Sequence, residues 1–267
     1  MDRSLPDRSS AETATRRECT AHGDYVAQRL FADHFTRCPT CTRELEQKRA
    51  ARQAEQQRQV AEERAAATLD SNLRNSGLIG RFKRATFDSF EAHGAGQCKA
   101  LEACRSFAST FEPSAGGGLW LIGPPGTGKT HLGAAMVSHA IRERRVGAAI
   151  HAAHDIMRML RERFGVKESA DPYGDDIDTT DQLIRHLGTV PLLVLDEIGV
   201  TRGSDWEAEQ MFAIVDERYR LELPTVVVSN LPAAEIKQLV GDRVYDRLRE
   251  GAKVVPMNWP SHRGSRS

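Results

Sequence analysis

Gly123-Pro124-Pro125-Gly126-Thr127-Gly128-Lys129-Thr130 fits the pattern G-x-x-x-x-G-K-[ST] at every fixed position. It follows an apolar run, Leu119-Trp120-Leu121-Ile122, and precedes a helical pattern, His131-Leu132-Gly133-Ala134-Ala135-Met136-Val137. Strand, glycine-rich loop and helix in that order make a phosphate cradle. The glycines let backbone N–H groups turn inward, and the helix N-terminus adds the positive end of its dipole. Lys129 is placed to reach the β- and γ-phosphates, and the Thr130 hydroxyl to ligate Mg²⁺. The expected contacts of a nucleoside triphosphate are therefore Gly123 to Thr130, with His131 beside them.

Working outward, short apolar or β-branched runs at 148–152, 191–195, 224–229 and 253–255 alternate with helical patterns near 131–143, 154–163, 179–187, 205–221, 232–239 and 241–249. Such alternation predicts an α/β fold, a mainly parallel sheet flanked by helices on both faces. Ligands of such sheets gather at the carboxyl ends of the strands. There Pro191-Leu192-Leu193-Val194-Leu195 runs into Asp196-Glu197. Asp196 is expected to hold Mg²⁺, directly or through water, and Glu197 to orient and polarise an attacking water. A binding-only site needs the first carboxylate; the second implies turnover. The run Thr225-Val226-Val227-Val228-Ser229 ends on Asn230, which could hydrogen-bond the γ-phosphate or that water. Farther on, Arg243 and Arg247 stand four residues apart and share one helix face. One of them reaching a neighbouring subunit's γ-phosphate would stabilise the transition state.

The chain has 267 residues, enough for one α/β domain and an appendage. Lys plus Arg and Asp plus Glu are equal at 37 each, so any nucleic-acid contact must come from a local patch. The N-terminal stretch lacks the apolar core of a signal peptide, and no apolar run is long enough to span a membrane. The expected setting is soluble and cytoplasmic, with the five cysteines as reduced thiols.

Cys19-x-x-His22, a gap of fifteen residues, and Cys38-Pro39-Thr40-Cys41 have the spacing of two chelating pairs closing a tetrahedral Zn²⁺ site. His34 is a rival ligand. Cys98 and Cys104 are expected to pack on a helix face. The predicted organisation is an unstructured stretch over 1–18, a zinc-binding module over 19–41, a charged helix or linker over 42–73, and an ATPase domain over 74–267. An acidic loop is expected over 169–178. Arg81, Lys83 and Arg84 beside Phe82 could touch a phosphate backbone or stack on a base.

Taken together, residues 123–132, His154-Asp155-Ile156-Met157, residues 193–200, Ser229-Asn230, residues 241–248 and the closing Asn258-Trp259-Pro260-Ser261-His262-Arg263 resemble the AAA+ ATPases, and within them the DnaC-type helicase loaders. The likeness spans about 75–265. By that resemblance, Asn230 matches the family's first sensor and Arg247 its arginine finger, with Arg243 a second candidate. Arg263 looks like the second sensor. The resemblance implies an ATP-dependent factor that places a DnaB-type replicative helicase on single-stranded DNA. It also implies a homo-oligomer or a ring assembled on that helicase. Whether the zinc module touches helicase or DNA stays open. An IstB-type transposition helper, acting on duplex DNA, shares the core, though the zinc module favours the loader. A zinc-containing adaptor that binds ATP without turnover is a third reading, against which Glu197, Asn230 and Arg247 argue.

Overall fold

The computed structural model describes residues 14–31, 34–164, 179–199 and 204–262. Arg263 and the acidic loop of 169–178 lie outside them. The chain divides into two compact units, with the boundary between Ala66 and Ala67.

In the first unit, β1 (Ala14–Cys19), β2 (Gly23–Phe31) and β3 (His34–Phe35) form an antiparallel sheet in that order. The β1–β2 turn is closed by the His22 N–H donating to Cys19 O at 3.3 Å. Gly23, at φ +73°, takes the left-handed conformation that lets the chain re-enter the ladder. The expectation of an unstructured segment up to residue 18 is thus corrected from Ala14 onward. Thr15, Arg16 and Arg17 carry no apolar alternation, because this small sheet is held by its backbone ladder and by cross-strand contacts. The Arg17 guanidinium, 3.9 Å above the Phe35 ring, is one of these contacts. The charged stretch that follows is a single helix, α1 (Pro39–Arg74), whose residues from Ala67 onward belong to the second unit. It starts on proline, whose missing N–H costs nothing in a first turn. None of its side chains is buried.

The second unit is built on five strands: β4 (Gly118–Ile122), β5 (Ala148–Ala152), β6 (Leu192–Asp196), β7 (Thr225–Ser229) and β8 (Ala252–Pro256). They pair in the order β5-β6-β7-β4-β8, and every pairing is parallel. Helices α2 (Ala95–Thr110), α3 (Lys129–Arg142), α4 (Ala153–Glu162), α5 (Thr180–Thr189), α6 (Asp205–Arg220), α7 (Ala233–Val240) and α8 (Asp242–Arg249) pack around the sheet. Strands covered on both faces read as unbroken apolar runs, which is why β6 and β7 are buried from end to end. Alternate residues feed opposite layers. Leu121, Val194, Val226 and Val228 join a core with Leu132 and Met136 of α3. Trp120, Leu193, Leu195 and Val227 join a second core with Leu160 and Ile214.

Arg218 of α6 is buried and, among the described residues, its hydrogen bonds reach no carboxylate. Its guanidinium donates to Thr225 Oγ1 and to the carbonyls of Leu187, Val190 and Pro224, at 2.6–2.9 Å. These bonds tie α6 to β7 and to the end of α5. Cys104 packs in the α2 core as expected, whereas Cys98 is exposed. Among the described residues, no helix is long and apolar enough to cross a membrane.

Candidate nucleotide site and metal cluster

The chain leaves β4 at Ile122, makes the phosphate loop and enters α3 at Lys129. Gly126 and Gly128 sit at φ +82° and +93°, a region that disfavours any side chain, so the loop needs glycine at both. Lys129 is buried, and its Nζ donates to Gly123 O at 2.7 Å and to Pro124 O at 2.8 Å. That pair of bonds folds the amine back across the mouth of the loop.

Asp196 ends β6 with its carboxylate buried. Burial pushes its pKa above the usual aspartate range. The Thr130 hydroxyl opposes that shift, as does the Glu197 N–H, which donates to Asp196 Oδ1 at 2.9 Å. Thr130 and Asp196 thus stand side by side in the cleft, placed to serve one divalent cation. Glu197 holds a left-handed backbone at φ +54°, a strain of about 1–3 kcal/mol of the kind concentrated at functional sites. Its Oε2 lies 3.5 Å from His154 Nδ1, at the start of α4. Pro125 through His131, Asp196, Glu197, Ser229 and Asn230 line one cleft of about 760 Å³ at the carboxyl ends of the strands.

The other wall of this cleft includes Arg81, Phe82, Arg84, Phe90 and Trp259. From the sequence, Arg81, Lys83 and Arg84 beside Phe82 could touch a phosphate backbone or stack on a base; the fold brings Arg81, Phe82 and Arg84, but not Lys83, to the wall of the nucleotide cleft. His131 lies within 3.1 Å of both Thr86 O and Ser89 Oγ, which fixes that wall against α3.

Arg243 and Arg247 do not line this cleft. Arg247, on α8, pairs with Asp216 Oδ1 at 2.8 Å, and its guanidinium lies 4.7 Å from the Phe212 ring centre and 5.5 Å from that of Tyr219. Arg243 is exposed one turn earlier.

In the first unit, Cys19, His22, Cys38 and Cys41 converge, with all four ligand atoms within 4.8 Å of one another. His34 is not among them. His22 Nδ1 stands 3.7 Å from Cys19 Sγ, 3.8 Å from Cys38 Sγ and 3.3 Å from Cys41 Sγ, and Cys19 and Cys41 are 3.5 Å apart. Ligands bound tetrahedrally to one zinc would be about 3.5–3.8 Å apart, so the donor set fits that ion. The Ala21 backbone, then His22, pulls the Cys19 thiol down to about 6, toward the thiolate a metal binds. Cys41 is pushed up to about 11, first by sharing a proton with Cys19. The sequence reading missed Glu44, whose carboxylate is 3.1 Å from His22 Nε2. An acid one turn into the helix after Cys41 was its only signal. By holding the Nε2 proton, Glu44 leaves Nδ1 free to ligate. Glu44→Ala should lower zinc affinity about 10–100-fold in a chelator competition, with the chain otherwise folded.

The sequence model of IstB-like ATP binding protein matches residues 42–267, a span that begins after the metal cluster. The replicative helicase loader DnaC of Escherichia coli (strain K12) is 31% identical over 202 residues, covering 75% of this chain and 78% of that one. DnaC of Buchnera aphidicola subsp. Acyrthosiphon pisum (strain APS) is 30% identical over 205 residues, 76% of this chain and 79% of that one. The crystal structure of the DnaC helicase loader superposes with a TM-score of 0.58 at 24% identity, covering 67% of this chain and 99% of that chain. AMPPCP-bound DnaA from Aquifex aeolicus gives 0.54 at 23% identity, covering 65% and 50%. These two structures share the fold. A phosphate loop, paired carboxylates and an all-parallel five-stranded sheet agree with the sequence relationships: the chain belongs to the IstB-like ATP binding protein family and is an AAA+ P-loop ATPase of the DnaC type.

Proposed function

We propose that the protein loads a DnaB-type replicative helicase onto single-stranded DNA and hydrolyses ATP to ADP and phosphate in doing so. The observation that carries the hydrolytic part is Glu197 beside Asp196 in the phosphate-loop cleft. Lys129 and the loop N–H groups neutralise the phosphates. Thr130 and Asp196 hold Mg²⁺, which, when bound, offsets charge on the β- and γ-phosphate oxygens. Glu197 orients a water on the γ-phosphorus, and Asn230, one residue past β7, fixes the γ-phosphate or that water. Arg247, or Arg243 in its place, completes the site of a neighbouring copy, which is the reason for a homo-oligomer or a ring on the helicase. Arg263 acts as second sensor. The helicase itself is inferred from the relationship to DnaC.

Cys19, His22, Cys38 and Cys41 hold zinc as a closed four-ligand site with no open position for a substrate. Its role is to supply folding energy to a module with little core of its own.

Support for a single-stranded partner comes from Phe164, which is 72% exposed and stands edge-on to Trp206 with ring centres 6.2 Å apart. An exposed aromatic face stacks on any base without reading its sequence. A second reading, the transposition helper on duplex DNA, is favoured by the name of the matching family. ATP turnover with no DNA, single strands or duplex, beside Phe164→Ala, separates the two. The loader reading expects stimulation by single strands that Phe164→Ala reduces about 5–100-fold in apparent DNA affinity. Stimulation by duplex alone overturns it in favour of the helper. Absence of turnover even with the helicase present leaves the ATP-binding adaptor.

A further inference from the structure

After β8 the chain turns back over the phosphate loop and is bonded to it twice, with a third bond to the end of β4 that leads into it. The Met257 N–H donates to Ile122 O at 2.7 Å, the Trp259 indole N–H to Thr127 O at 3.1 Å, and the His262 N–H to Gly126 O at 3.0 Å. The approach is so close that a Cβ on Gly123 would collide with Met257 O, and one on Gly126 with the Ser261 side chain. Trp259 also packs over Gly96 of α2, so its ring is anchored from behind. His262 Nε2 stands 3.6 Å from Glu91, on the cleft wall.

In a trans peptide the carbonyl and the following N–H point in opposite directions. Tying the carbonyls of Gly126 and Thr127 to the tail therefore turns the N–H groups of Thr127 and Gly128 the other way. N–H groups of such a loop are what it offers to phosphate. Left without these bonds, a segment containing Gly126 and Gly128 has many backbone states to lose on binding.

We infer that residues 257–262 are a strap that presets the phosphate loop, and that Trp259 is its positioning residue for the nucleotide. The inference rests on the nucleotide reading of the cleft. The strap sets affinity by holding the loop in its anion-binding form before the ligand arrives, so the order it imposes is not lost again on binding.

The test is titration of the full-length protein with Mg·ATP and with ADP, for the parent, Trp259→Phe, His262→Pro and His262→Ala. Phenylalanine keeps an aromatic ring over Gly96 and deletes only the donor. Proline at 262 deletes the N–H that reaches Gly126 O, in a segment beyond β8; alanine keeps it. Trp259→Phe and His262→Pro should each weaken both nucleotides about 3–10-fold, the effect of one lost hydrogen bond. The melting temperature of each should stay within about 2 °C of the parent. His262→Ala should weaken binding less than His262→Pro. Indole emission of the parent should change when ATP is added, and that change should be missing from Trp259→Phe. If the parent binds ATP and Trp259→Phe and His262→Pro bind it equally well, the strap is wrong and the nucleotide site stands. If the parent binds no ATP, the nucleotide reading fails and the strap with it.

Discussion

Glu197→Gln should bind ATP and stop. The substitution keeps the size of the side chain and removes its charge, so the cleft retains its shape and loses the group that polarises water. Loss of a positioned base costs about 10²–10⁴-fold in turnover. Affinity for Mg·ATP should stay within about threefold, because the phosphate contacts come from Lys129, Thr130 and the loop. Stability should change little, since the Glu197 side chain is about half exposed and its ion pair with His154 spans 3.5 Å. Rapid-quench hydrolysis and nucleotide titration on the same preparation check both halves. Unchanged turnover would remove Glu197 from the chemistry, and lost binding would make it a phosphate or cation ligand instead. The stalled variant also isolates Asp196. Burial has raised the pKa of that carboxyl, so it takes up its proton at a higher pH than an exposed aspartate does. A protonated Asp196 cannot serve a cation. Mg·ATP binding to the variant should therefore weaken on acidification before ordinary carboxylates titrate.

The sheet was legible because buried parallel strands leave unbroken apolar runs such as Leu192-Leu193-Val194-Leu195, bounded by residues that cannot continue them. Lys129, Thr130, Asp196, Glu197 and Asn230 were legible because each stands at a strand end or a fixed step past one along the chain. What the sequence hid are contacts whose partners lie far apart in it. Trp259 meets Thr127 across 132 positions, and no local pattern announces that a tail will lie on the phosphate loop. Arg81 and Phe82 carry the composition of a nucleic-acid patch, and only the packing of 80–90 against α3 turns them to the cleft. The β1–β2 hairpin was hidden for a different reason. It buries little, Ala27 most completely, so it imposes no alternation on Thr15, Arg16 and Arg17. Arg218 breaks the rule that charge marks a solvated helix face, because carbonyls at the end of α5 and just before β7 solvate it instead.

Arg247→Ala should cost about 10³-fold or more in ATP turnover, the range of an arginine finger, although Arg247 does not line the cleft of its own chain. The same substitution unpairs Asp216 and uncovers the rings of Phe212 and Tyr219, so some stability is lost as well. For an ion pair a quarter exposed on each side, that loss is about 1 kcal/mol or less. A fall in turnover alone would not distinguish a finger from a brace. Arg243→Ala is the comparison, because Arg243 is exposed and its removal disturbs no core. The decisive step mixes two inactive proteins, Arg247→Ala and Glu197→Gln. Where a copy of the first presents its cleft to α8 of the second, one site has an intact Glu197 and an intact neighbouring Arg247. Turnover that returns on mixing means that Arg247 acts between subunits. If mixing restores nothing while Arg243→Ala mixed with Glu197→Gln does recover, the finger is Arg243 and Arg247 is the brace that orients α8. If neither mixture recovers, both arginines serve their own chain, and the shared-site reading of the oligomer falls.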